Sequence, residues 1–229
     1  MYRISVTTLE KFRRFRDKVS VYDTEESLVD TLSGVRRPSA YADIGSAFHK
    51  IVETGCANYV GQGVFEQKQE NFTVRLNFDA VENALLYRSR FPGAEHEVHG
   101  GKDFHSPLFD IHVHGFADLK YGSVVRDIKT KYSTPHVEDY TNSCQWTFYL
   151  ELFGCSLFYF DLFQFRGYDR RMEADTTCTS LTAYEPVECV RTDRLEAYNR
   201  QIVNDFCAFI EDRKLHHLLK TKEDLYNDK

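Results

Sequence analysis

The six cysteines, at positions 56, 144, 155, 178, 189 and 207, form no C-x-x-C pair. That spacing excludes a zinc ribbon or a four-cysteine nest and points to free, mostly buried thiols in a reducing compartment. No apolar run approaches the roughly 18 residues that cross a bilayer. The opening "MYRISVTTLEKFRRFRDK" lacks the apolar centre of a secretion signal, so a cytoplasmic protein without a membrane partner is expected. There is no P-loop, and any ATPase or helicase would be a separate protein. Positive charge is also in short supply. A net charge of -6 excludes a protein that coats nucleic acid by bulk electrostatics. It leaves room for an enzyme that meets phosphates through local basic groups and bound cations.

What is present suits a globular chain. Of 229 residues, 42% are hydrophobic and 14% aromatic, enough to bury a sizeable core. There is no repeat, low-complexity tract or Pro/Gly/Ser-rich linker, so a single domain over 1–229 is the simplest reading. Its core motifs span 44–150, a strand and helix follow over 156–213, and 214–229 is a charged tail.

Hydrophobic period divides the chain. "TTLEKFRRF" has helical spacing, with Thr7 or Thr8 as its cap. "TEESLVDTL" predicts a second short helix and "SGVRRPSAYAD" a loop. "DIGSAFHKIVETGCANYV" predicts a helix capped by Asp43, with Ile44, Phe48, Ile51 and Val52 as its apolar stripe. Another helix spans Phe78 to Tyr87. The period then drops to two: "AEHEVHG", "FDIHVHGFADL" and "GSVVRDIKT" read as three successive strands. "HVEDYTNSCQWTFYLELFG" predicts one helix ending at Gly154, and "SLFYFDLFQF" a strand buried on both faces. Short strands are expected between Arg166 and Cys189, and an amphipathic helix over "TDRLEAYNRQIVNDFCAFIEDRK".

In "VVRDIKTKY", Asp127 and Lys129 alternate onto one face. Alone, they read as a solvated ion pair worth under about 1 kcal/mol. Asp118, at the end of the preceding strand, changes that reading. A short turn would bring Asp118 and Asp127 together, and two close carboxylates repel unless a cation or proton lies between them. Mg²⁺ or Mn²⁺ suits such oxygen ligands and leaves positions for water and phosphate. Lys129 would then position or deprotonate a water, or neutralise charge growing on a phosphate. Arg36 and Arg37, in the loop before the "GSAFH" helix, are candidate phosphate contacts. His96, His99, His105, His112 and His114 form a second cluster, and H-x-H on a strand can bind zinc. A zinc hydrolase is therefore the alternative enzyme. A catalytically silent binding module for nucleic acid or protein is the alternative outside enzymes.

"HGFADLKYGSVVRDIKTKY" resembles the G-x-x-D…D-x-K core of the PD-(D/E)XK nucleases. "GSAFH" (45–49) is similar to the G-x-x-x-H motif of their RecB-like branch, and "QWTFY" (145–149) to its Q-x-x-x-Y motif. "ISVTTLEKFRRF" is similar to that branch's S-x-x-x-L-x-x-F start. The resemblance implies an α/β fold with a restriction-endonuclease-like core, a central mixed β-sheet flanked by helices on both faces. It implies a metal-dependent DNA exonuclease of recombination, repair or phage DNA processing, with DNA and a separate helicase or recombination protein as partners. Residue by residue, it implies that His49, Asp118, Asp127 and the carbonyl of Ile128 hold the metal and that Lys129 is catalytic. Glu97, with Glu95 as competitor, would be the acidic residue near the metal, and Gln145 and Tyr149 would touch the substrate strand or steady the site. Some members carry an iron–sulfur cluster held by one early and three late cysteines. No early cysteine exists here, so no cluster is expected.

Overall fold

The computed structural model describes residues 1–35, 39–68, 73–166, 176–178 and 180–221. The first element is a short strand, β1 (Tyr2–Ser5), which leads directly into α1 (Val6–Arg16). The cap of α1 is Ser5, not Thr7 or Thr8, because Ser5 Oγ accepts from the Thr8 amide at 3.0 Å. Next come α2 (Glu25–Leu32) and α3 (Ala40–Thr54). Helix α3 begins earlier than its apolar stripe suggests. Ser39, rather than Asp43, is its cap, and Tyr41 to Asp43 are helical instead of loop. A small sheet follows that the sequence pattern did not announce, made of β2 (Asn58–Gly61), β3 (Val64–Lys68) and β4 (Thr73–Asn77), joined later by β9 (Thr176–Cys178).

After α4 (Phe78–Ser89) the three expected strands appear as β5 (Glu95–Phe104), β6 (Ile111–Tyr121) and β7 (Val124–Lys131). The single helix expected next is two, α5 (Val137–Thr141) and α6 (Gln145–Leu152). The break has a local cause: the Ser143 amide closes the end of α5 on Tyr140, and Ser143 Oγ accepts from the Gln145 amide. The expected buried strand is β8 (Leu157–Arg166), followed by β10 (Ser180–Ala183), β11 (Val187–Val190), α7 (Leu195–Arg213) and β12 (Lys220–Thr221).

The main sheet is mixed and runs β10-β8-β7-β6-β1-β12, with β11 also on β8 and β5 also on β6. Two apolar cores sandwich it. On one face α1, α2, α6 and α7 pack on Ile111, Val113, Val125, Phe158 and Phe160. On the other, α3 and α4 pack on Leu119, Ile128, Phe163 and Phe165. The fold is thus α/β with helices on both faces of a central mixed sheet.

One feature of this sheet positions the candidate site. β5 pairs along nearly the whole of one edge of β6, from Phe104↔Ile111 to Glu95↔Lys120. The other edge is shared. β1 takes residues 111–114, and β7 takes only 119–121. Residues 115–118 therefore face a fork where β7 has left and β1 has ended in α1.

A carboxylate, imidazole and lysine site at the strand fork

The β6–β7 ladder ends at Leu119↔Arg126, so the next facing positions in register are Asp118 and Asp127. Asp118 is held in place by the fork itself. Its Oδ2 accepts from the Ile128 amide at 2.5 Å, and its Oδ1 lies 3.1 Å from Nδ1 of His49 on α3. Lys129 Nζ sits 2.6 Å from Asp127 Oδ2. Despite that ion-pair distance, Asp127 Oδ2 is buried without a donor of hydrogen-bond geometry among the described residues. The site opens on one side: His49 and Lys129 keep 28% and 29% of their side-chain surface exposed, against 8% for Asp127.

Two motif glycines make this convergence possible. A Cβ at Gly45 would collide with Thr130 Oγ1, so glycine there lets α3 approach β7 and carry His49 to Asp118. A Cβ at Gly115 would lie 2.6 Å from Tyr149 Cε1. Gly115 pairs with Gly100, whose own Cβ would strike Phe153. This glycine pair is the floor on which α6 seats the stacked rings of Tyr149 and Phe153. The Tyr149 ring lies against Gly115, on the stretch of β6 that neither β1 nor β7 pairs. Tyr149 is 4% exposed and Gln145 8% exposed. Tyr149 thus supports the fork from beneath.

Glu97 stands opposite Asp118 in the β5–β6 register, between the pairs His96↔Leu119 and Val98↔Ala117. Its φ of 51° is left-handed, a strained conformation for a residue with a side chain. Glu95 instead pairs with Lys120 and lies 3.9 Å from its ammonium, so Glu97 is the acidic residue nearer the fork.

The electrostatics follow from these contacts. Burial, together with the nearby Asp118 charge, pushes the Asp127 carboxyl up to about 6 against the pull of Lys129. Burial also opposes ionisation of Asp118. His49, the Ile128 amide and Lys129 outweigh it and hold that carboxyl below the usual range. Burial likewise disfavours the charged forms of His49 and Lys129, yet Asp118 raises the first and Asp127 the second. Lys129 is therefore an ammonium. Burial, then the charges of Asp118 and Glu53, raises the Glu97 carboxyl.

One participant has no counterpart among the sequence candidates. Glu10 on α1 is 9% exposed, is held by Arg13 at 2.8 and 3.0 Å, and accepts from the Cys144 amide at 2.8 Å. Its charge helps keep Lys129 protonated and ties α1 to the start of α6. A glutamate and an arginine three residues apart on the otherwise apolar face of α1 are the signal that marks it.

Arg36 and Arg37 lie outside the described residues. Of the candidate histidines, His112 meets Asp103 at 2.5 Å, His114 meets Arg3 at 3.3 Å, His96 meets Arg88 at 3.2 Å and His105 meets Asp110 at 3.1 Å, while His99 packs on the rings of Phe116 and His114. Among the described residues, no group of three or more His, Cys, Asp or Glu side chains is already arranged as a metal cage. The fork's donor set nevertheless fits a hard cation in kind: two carboxylates at facing positions of β6 and β7, beside an imidazole.

No family model matches the chain, and no curated protein matches it significantly. Among solved structures, one titled "Crystal structure of SSO0001" is similar at 17% identity, over 93% of this chain and 77% of its own, with a TM-score of 0.46. So distant a likeness assigns no residue a role.

Proposed function

We propose that the protein is a Mg²⁺- or Mn²⁺-dependent nuclease that hydrolyses phosphodiester bonds in DNA, acting as an exonuclease in recombination, repair or phage DNA processing. The observation that carries this reading is the fork. Asp118 and Asp127 face each other across diverging strands, with Lys129 and His49 at its open side. After burial, the Asp118 charge adds to the rise of the Asp127 carboxyl, and a divalent cation would relieve that repulsion. The ion would be held by Asp118, Asp127, His49 and the Ile128 carbonyl, with Glu97 beside it. Bound there, it would polarise a phosphate and lower the pKa of a coordinated water.

The protein's own groups do the rest. Lys129, kept as an ammonium by Asp127, neutralises charge that grows on the phosphate oxygens. Its protonation makes it a charge stabiliser rather than the base that removes a proton from water. The Ile128 amide fixes the orientation of Asp118, and the buried Tyr149 ring backs β6 at Gly115.

The test is cleavage of linear DNA in the presence of Mn²⁺. The wild type is expected to degrade it, and Lys129→Ala to be slower by about 10²–10³-fold, as for loss of one preorganised charge stabiliser. Absent cleavage, or cleavage that survives the substitution, would count against the reading.

A further inference from the structure

The face of β5 and β6 opposite α6 is open. From the fork outward, its facing pairs are Glu97 and Asp118, then His99↔Phe116, Gly101↔His114 and Asp103↔His112. Phe116 is 50% exposed although it is a large apolar ring two residues from Asp118. The His99 ring backs it at 4.9 Å between centroids, and His114 continues the row 6.0 Å from His99. An exposed aromatic surface of this kind stacks on unpaired bases, since every base has a π-face.

The row ends at a cavity of about 290 Å³ between β1, the start of α1, the end of α2 and β12. Arg3, Lys220, His114, Ser5, Thr8 and Thr31 supply its polar lining. Arg3 uses one guanidinium nitrogen on His114 Nδ1, while its buried Nε makes no hydrogen bond to any described residue. Because guanidinium only donates, His114 Nδ1 accepts, and the His114 proton sits on Nε2 as a further donor. The Ser5 and Thr8 hydroxyls meet at 2.8 Å. Asp103, the carboxylate on this face beyond Glu97, is taken up by His112. The Thr31 hydroxyl donates to the Ser27 carbonyl, but the Arg3 guanidinium with its unused donor, the Lys220 ammonium and the remaining hydroxyl proton of the Ser5–Thr8 pair are complementary to a phosphate group.

We propose that this face is the track of an unpaired DNA strand. Phe116, backed by His99, stacks a base beside the fork, and the Arg3 cavity takes a backbone phosphate further along the strand. At about 3.3 Å per residue, Phe116 lies about 7 Å and His114 about 13 Å from Asp118 along β6, so one strand can occupy all three places. The interior of a duplex cannot offer a base face to Phe116. The inference rests on the nuclease reading for the polarity of the track toward the fork, but not for binding itself.

The test is fluorescence anisotropy of a labelled single-stranded DNA of about 12 nucleotides, a length within the usual site sizes. It is run in EDTA so that no cleavage intervenes. Phe116→Ala, an exposed position tolerant of truncation, is expected to weaken binding about 5- to 100-fold. Arg3→Gln is expected to weaken binding and to flatten its salt dependence. A blunt duplex, with base faces only at its two ends, is expected to bind less tightly than the single strand and to lose less on Phe116→Ala. Unchanged affinity in both variants, or equal single-strand and duplex binding, overturns the track. Mn²⁺-dependent cleavage of the same DNA is read separately. Phe116-dependent binding without cleavage supports the track and overturns the nuclease. Cleavage with binding indifferent to both substitutions overturns the track alone.

Discussion

A methyl group on Gly115 would press on Tyr149, a ring that is buried and stacked 5.9 Å from Phe158 and so has nowhere to retreat. Gly115→Ala is therefore expected to cost about 1–3 kcal/mol in urea denaturation, the usual range for overpacking. It should also slow cleavage, because the clash with Tyr149 shifts β6 three residues from Asp118. At this scale much of the site was legible. Carboxylates, a lysine and a histidine at telling spacings announce chemistry by type alone. The glycines announce close approach once their partners are known. Glu10 was not legible, since its meaning comes from Cys144, 134 residues away in sequence. For Tyr149 the sequence left substrate contact and support of the site both open, because a tyrosine on a helix face does not say which way that face turns.

Between elements, β7, β8 and α4 are joined by a buried polar cluster. Arg126 donates twice to Asp161, at 2.6 and 2.8 Å, and the Tyr87 hydroxyl donates to Asp161 at 2.6 Å. The Arg126 guanidinium also lies over the rings of Phe91 and Tyr159. Arg126→Met leaves the Asp161 carboxylate buried with only a phenol, so a loss of about 3–5 kcal/mol is expected in the same denaturation assay. The strands themselves were readable where apolar and polar residues alternate over many positions, as in β6 and β7. β1 was not, being four residues whose partners are β6 and β12. The β2–β3 hairpin escaped for a different reason: Tyr59 and Val60 are exposed, so no period-two stripe marks it. The break between α5 and α6 carries neither proline nor glycine, which is why one helix was expected there.

For the whole molecule, pH exposes how the open sheet face is built. Burial, followed by the charges of Arg3, His99 and His112, pushes the His114 imidazole down to about 4. An unfolded histidine titrates near 6.5, so between those values the unfolded chain binds more protons. This contribution to stability is fully present above about pH 6.5 and is lost as pH falls through about 4. His114→Gln should flatten the melting temperature against pH in that window, as followed by circular dichroism. The two-faced α/β plan was legible from the order of helical and strand periods. The fork was not, because it depends on β1 and β7 sharing one edge of β6, a pairing that no local pattern records.

The central claim, that the fork is a divalent-cation centre, is tested most directly by calorimetric titration of the protein with Mn²⁺. Saturable binding is expected for the wild type, with loss in Asp127→Asn and weakening in His49→Ala. A titration without binding heat, or the same heat in all three proteins, would contradict it.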